Sequence, residues 1–144
     1  MTTSNSVYQA TASAHGGRAG HVDSEDQQLN VRLSVPQALG GKGGVGTNPE
    51  QLFAGALAAS FESAMGTVAR TESYEEFGVM QVMATVGLSA NGDAHDLTVA
   101  LDITLPGLSR EQAQHLVDRG AEICAYTRAL RGQVEIDYRL HDAE

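Results

Sequence analysis

Cysteine occurs once in the 144 residues, at Cys124, so no internal disulfide can brace this fold. A single thiol is often no more than a small buried hydrophobe. Basic residues are also scarce. Nine Lys and Arg stand against eighteen Asp and Glu, giving a net charge of −9. Nucleic acid and anionic membranes both need a basic footprint, so neither is an expected partner. The five histidines, at 15, 21, 95, 115 and 141, form no Cys/His pairing with zinc-like spacing. Neither a metal nor a cofactor is therefore expected. No apolar run reads as long enough to cross a bilayer. The opening residues Met1-Thr2-Thr3-Ser4-Asn5-Ser6 are polar and have no apolar core of a secretion signal, so a cytoplasmic location is expected.

What is present fits one domain over residues 1–144, with 1–6 as a loose start. The 42% hydrophobic content is too high for disorder. Residues 7–14 and 18–24 read as extended, separated by a turn or bulge at Gly16-Gly17. Leu29, Val31, Leu33 and Val35 alternate as in a half-buried strand, which Pro36 ends. A glycine-dense loop, Gly40 to Gly46, leads into Thr47-Asn48-Pro49-Glu50. Thr47 with Glu50 has capping-box spacing, while Asn48 before Pro49 offers a second way to start the same helix. That helix is predicted to run to about Arg70, with Phe53, Leu57, Ser60, Ala64 and Val68 on its apolar face. Strands are predicted over 79–90 and 97–105, joined at Asn91-Gly92-Asp93. Ser109 with Gln112 opens a second helix, ending at Ile123 or Cys124, and a last strand covers 133–140. The order β-β-β-α-β-β-α-β, with antiparallel hairpins, describes an α+β domain.

The loop contains a G-x-G-x-x-G spacing at Gly41, Gly43 and Gly46. A dinucleotide site also needs a βαβ unit and an acidic residue ending its second strand, and neither follows here. A phosphate loop fails as well, because Gly43 stands where Ser or Thr must follow the lysine. Glycines that serve the backbone conformation are the simpler account. Ser60 lies on the apolar helix face, where its hydroxyl can bond a carbonyl one turn back. It is not in a nucleophile elbow, so a serine hydrolase does not fit. Cys124 falls on the apolar face of the second helix, so both side chains face inward. Arg18 and Glu50 each have a plain reading, as a solvated surface group and as a complement to a helix dipole.

The sequence resembles the Ohr branch of the Ohr/OsmC family over about residues 7–140. The match is carried by Gly16-Gly17-Arg18-Ala19-Gly20, Leu39-Gly40-Gly41, Gly46-Thr47-Asn48-Pro49-Glu50-Gln51-Leu52-Phe53-Ala54, Leu105-Pro106-Gly107, Cys124-Ala125-Tyr126-Thr127 and Arg131-Gly132. The resemblance implies the OsmC/Ohr-like fold, an intertwined homodimer with active sites at the subunit interface, and thiol-dependent reduction of organic hydroperoxides. It implies a dithiol reductant of the lipoyl type. The reactive cysteine of the family falls at Ser60, the resolving cysteine at Cys124, the thiolate-stabilising arginine at Arg18 and its orienting carboxylate at Glu50.

Serine breaks that chemistry. A hydroxyl supplies no thiolate at neutral pH and has no sulfenic state, so little or no turnover is expected of this chain. The motif also reads Cys-Ala-Tyr-Thr where the family has Cys-Pro-Tyr-Ser. Two origins fit Ser60: an engineered, near-isosteric replacement of cysteine made to capture an inactive enzyme, or a natural change leaving a binding or sensing protein for hydrophobic ligands. Retention of Arg18, Glu50 and Cys124 slightly favours the first. A helix rises about 1.5 Å per residue, which puts Glu50 and Ser60 roughly 15 Å apart. At least one member of the site is therefore expected from a second chain.

Overall fold

Pro49 opens the longest element, helix α1 (Pro49–Thr71). At the first helical position its fixed φ suits the turn and its missing N–H leaves no bond unmade. The computed structural model describes residues 5–74 and 78–142, so residues 1–4 of the expected loose start lie outside it. The chain divides into two compact units, Met1–Pro49 and Glu50–Glu144.

The first unit holds a three-stranded antiparallel sheet of β1 (Ala12–His15), β2 (His21–Ser24) and β3 (Asn30–Arg32), in that order. The first two strands are shorter than the extended stretches read from sequence. Gly16 and Gly17 take φ of 84° and 59°, and a single 3-10 turn, Gly17–Ala19, separates the strands. The alternating run from Leu29 leaves the sheet after Arg32, and Leu33 instead bridges Thr47 in parallel. The Thr47 N–H donates to the Arg32 carbonyl and the Ser34 N–H to the Thr47 carbonyl, both at 2.9 Å. Gly46 sits against this bridge with φ 149°, where a Cβ would come within 2.8 Å of the Leu33 backbone. Backbone geometry thus accounts for the glycine there without a phosphate cradle.

In the second unit β4 (Gln81–Asn91), β5 (Ala94–Thr104) and β6 (Ile136–His141) form a sheet of order β4-β5-β6. β4 and β5 are an antiparallel hairpin closed by Gly92-Asp93. β6, however, runs parallel to β5, from Val99 opposite Ile136 to Thr104 opposite His141. The expected antiparallel hairpins are present in β1–β2 and β4–β5, and the last strand adds to β5 in parallel. Neighbouring parallel strands need a helical crossover, and the chain between them supplies one. That crossover holds two helices rather than one, α2 (Arg110–Ile123) and α3 (Ala125–Leu130). α2 begins with the predicted capping box. Ser109 Oγ accepts the Gln112 N–H and the Gln112 side chain accepts the Ser109 N–H, both at 3.1 Å.

The core lies between α1, α2 and the inner face of this sheet. Leu57, Phe61 and Met65 of α1, Leu101 and Ile103 of β5 and Leu116 of α2 are fully buried. Each such side chain stabilises the fold by about 1.5–3 kcal/mol. The inward row of α1 runs Leu57, Phe61, Ala64, Met65 and Val68, so Phe61 holds its centre and Ser60 its half-buried margin. α1 also corrects the reading of apolar length: by length and composition alone it could cross a membrane, with a mean hydropathy of 1.3. Its alanines raise the average without forming an obvious apolar run, and its larger apolar side chains pack into the core.

Candidate functional site

Ser60 is presented from the fourth turn of α1, and Cys124 from the junction where α2 ends and α3 begins. Cys124 is therefore not on a continuous helix face, as the sequence suggested. Its φ of −67° and ψ of 127° break the helix there. Its N–H still donates to the Gly120 carbonyl at 2.9 Å, closing the last turn of α2. The two side chains meet: Ser60 Oγ lies 3.5 Å from Cys124 Sγ, and either can donate. Gly120, one turn before Cys124, makes this approach possible. A Cβ there would sit 2.8 Å from Met65 Cγ and 3.4 Å from Phe61 Cζ, so only glycine lets α2 close on α1 without displacing the core.

Cys124 is only 2% exposed. Burial pushes its thiol pKa up, yet the opposing influences together are stronger. The Ser60 hydroxyl acts on the sulfur, as do the N–H groups of Thr127 and Tyr126 in the first turn of α3 and the Thr127 hydroxyl. None of the α3 groups makes a full capping hydrogen bond to the thiol, but their dipoles all favour the thiolate. The result is a thiol below its ordinary range. Tyr138, from β6, is shifted the other way: burial raises its phenol, Cys124 raises it further and Arg131 partly offsets both.

Aromatic rings flank the pair. Phe53 of α1 stands 6.4 Å from Tyr126, centroid to centroid, and Phe61 stands 5.9 Å from Tyr138. The site is thus a sulfur and a hydroxyl in contact within a largely apolar setting. One thiol can pass between reduced and sulfenic states. The hydroxyl beside it has no oxidised counterpart with which to form a disulfide.

Of the four residues singled out in the sequence, the structure brings Ser60 and Cys124 together. Glu50 is half-buried in the first turn of α1. The helix is unbroken from Glu50 to Ser60, so the rise of about 15 Å between them stands. Arg18 lies in the 3-10 turn of the first unit and is exposed in the single chain. Among the described residues no group of three or more His, Cys, Asp or Glu is placed to hold a metal ion. Sequence reasoning passed over Thr127 and Tyr138. Thr127 had a legible signal, being three residues beyond Cys124 as a capping partner would be, but the helix was expected to end there.

Comparison with known proteins follows the same lines. Residues 40–139 match the family described as OsmC-like protein. An organic hydroperoxide resistance protein of Xanthomonas axonopodis pv. citri is 40% identical across 93% of this chain and 94% of its own length. Among solved structures, an organic hydroperoxide resistance protein of Legionella pneumophila superposes with a TM-score of 0.90. It is 39% identical, over 94% of this chain and 98% of that one. The organic hydroperoxide resistance protein OhrB of Bacillus subtilis gives 0.84 at 35% identity, over 94% of this chain and 100% of that one.

Proposed function

The chain belongs to the OsmC-like protein family, and from that premise we propose that it is an organic hydroperoxide reductase scaffold in which Ser60 occupies the reactive-thiol position. The family role is peroxide resistance, by thiol-dependent reduction of an apolar hydroperoxide at the expense of a dithiol of the lipoyl type. Cys124 is the second, resolving thiol. Arg18 stabilises the reacting thiolate and Glu50 orients Arg18. The chain acts in the cytoplasm as one domain and as a homodimer, with at least one of these residues coming from the partner.

The observation that carries this reading is the 3.5 Å contact between Ser60 and Cys124. The contact joins residues 64 positions apart, one on α1 and one at the α2–α3 junction, and a separation this short supports reading them as the two positions of a redox pair. In a protein with cysteine at 60, the thiolate attacks the terminal peroxide oxygen, the O–O bond breaks and an alcohol departs, leaving a sulfenic acid. The Cys124 thiol then attacks that sulfur, forming a disulfide and releasing water, and a dithiol returns both sulfurs to thiols. Ser60 cannot begin this sequence, so the chain as it stands has little or no turnover.

Restoring the sulfur is the test. The Ser60→Cys variant should consume an organic hydroperoxide continuously with dihydrolipoamide as reductant, while the native chain stays at the background rate. A variant that folds but shows no rate above background would favour the second reading. In that reading the same fold binds or senses a hydrophobic ligand without catalysis, as the apolar setting of Cys124 permits.

A further inference from the structure

Two features of the sequence have no part in the mechanism so far: Thr127 and Arg131. Thr127 is a buried polar side chain, 3% exposed, in the short helix that follows Cys124. Its hydroxyl donates to the Ala121 carbonyl at 2.8 Å and reaches the Cys124 carbonyl at 3.1 Å. These carbonyls lie on either side of the break between α2 and α3. Cys124 keeps one backbone bond to each helix, its N–H to the Gly120 carbonyl and its carbonyl from the Arg128 N–H, but its extended ψ interrupts the ladder, so a side chain that spans the gap adds to what fixes it. Thr127 spans it. Arg131 Nη2 donates to the same Ala121 carbonyl at 3.4 Å, and Arg128 Nη1 to the Glu122 carbonyl at 3.1 Å. Two guanidiniums thus cover the last carbonyls of α2, the end of a helix that favours positive charge.

We infer that Thr127, braced by Arg131, is a positioning residue that fixes the break at Cys124 and so holds the thiol against residue 60. The inference rests on the reading of Cys124 as the resolving thiol. Its physical basis is the length of the lever. Sγ projects from a residue whose carbonyl accepts the Thr127 hydroxyl at 3.1 Å beside the Arg128 N–H at 3.0 Å, and a small rotation there swings the sulfur away from α1. Attack of one sulfur on another needs the atoms near contact and in line, and displacement by about 1 Å can cost roughly a hundredfold in rate. The groups that act on the thiol are Ser60 from α1, the Thr127 hydroxyl and first-turn N–H groups from α3, and Tyr138 from β6, on which Arg131 acts in turn. Thr127 differs from the others in being bonded to the backbone of Cys124 itself.

The experiment uses Ser60→Cys protein treated with one equivalent of tert-butyl hydroperoxide. Two rates are followed: capture of the sulfenic acid at residue 60 by a carbon-acid trap, and formation of the 60–124 disulfide. Adding Thr127→Val, which keeps the volume and removes the hydroxyl, should leave the first rate unchanged. It should slow the second about ten- to a hundredfold, and Thr127→Ser should restore it. Arg131→Gln, at the exposed end of the network, should slow the same step a few-fold. A disulfide rate unchanged by Thr127→Val would overturn the inference, as would an equal fall in both rates. If the Ser60→Cys parent forms neither sulfenic acid nor disulfide, the proposed reaction has failed rather than the role of Thr127. That role is then read in the native chain, whose single cysteine gives one resonance when labelled at 13Cβ. Thr127→Val should move that resonance and raise its titration midpoint, Thr127→Ser should leave both in place, and an unmoved resonance would count against the inference.

Discussion

Position 60 decides what Cys124 is. With serine there, the hydroxyl is one of several groups holding the thiol below its ordinary range against the opposing pull of burial. Ser60→Ala should therefore raise the Cys124 pKa, seen as a later midpoint in a 13Cβ-cysteine titration. The effect on stability has a defined sign. A depressed folded-state pKa adds stability that is fully present above the unfolded thiol value, about 8.5, and is lost as pH falls through the folded value. Ser60→Ala should accordingly lower the urea midpoint more at pH 9.5 than at pH 6.5, and equal losses would contradict the account. A second prediction concerns Ala125. It is the first residue of α3, and Cys124 before it already has the φ of −67° and ψ of 127° that a following proline demands. Ala125→Pro should be accommodated and should stabilise the fold by about 0.4–1 kcal/mol in chemical denaturation. A loss of stability would show that the junction is held differently. At this scale the inward positions of residues 60 and 124 were legible, because helical spacing marks a face. The end of α2 at Ile123 or Cys124 was legible too, but the new helix starting at Ala125 was not, since a proline that would have announced it is alanine here.

Helices α1 and α2 were readable because their starts carry chemistry, Pro49 at one and the Ser109–Gln112 box at the other. α3 was not, being six residues with no capping side chain. The direction of β6 also escaped, since alternation marks a strand's faces but not which way it runs. Two predictions belong to these elements. Gly120→Ala gains helix propensity, about 1 kcal/mol at most, but drives a methyl into Met65 and Phe61. Overpacking of this kind costs about 1–3 kcal/mol, so a net loss is expected in urea denaturation, together with slower 60–124 disulfide formation in the Ser60→Cys background. A stabilised variant with an unchanged rate would show that the α1–α2 approach is not limiting. β6 is tied to β5 through Asp102, whose carboxylate accepts from His141 Nε2 at 2.6 Å and Arg139 Nη2 at 3.1 Å. The His141 hydrogen bond, outweighing desolvation and supported by Arg139, holds the Asp102 carboxyl below its usual value. Its contribution is present above the unfolded carboxyl pKa, near 3.9, and disappears as pH falls through the folded one. Asp102→Asn should speed amide exchange along β6 at pH 7 and make little difference below pH 3. Exchange unaffected at pH 7 would remove the tie.

For the whole molecule, charge distribution and symmetry matter more than any single contact. Residues 1–49 carry three acidic and three basic side chains, so the net charge of −9 falls on residues 50–144. The family was legible from the block Gly46 to Ala54 and its order relative to Arg18 and Cys124, a block in which Gly46 meets a positive φ and Pro49 opens a helix. A partner subunit cannot be read from residue spacing, except through the 15 Å that separate Glu50 from Ser60 on one straight helix. If a second chain completes the site, a Ser60→Cys, Glu50→Ala chain and a Ser60→Cys, Arg18→Ala chain should each be inactive alone. At least one should regain hydroperoxide turnover when reassembled with the native chain, and failure of both would place the whole site within a single subunit. The claim beneath all of this is that positions 60 and 124 form a pair shaped for sulfur redox chemistry. It is tested most directly by adding one equivalent of organic hydroperoxide to reduced Ser60→Cys protein, without reductant, and mapping the product by mass spectrometry. The account predicts loss of two thiols per hydroperoxide and a disulfide joining residues 60 and 124 within one chain. Sulfenic or higher acids at residue 60 beside an unreacted Cys124 thiol would contradict it.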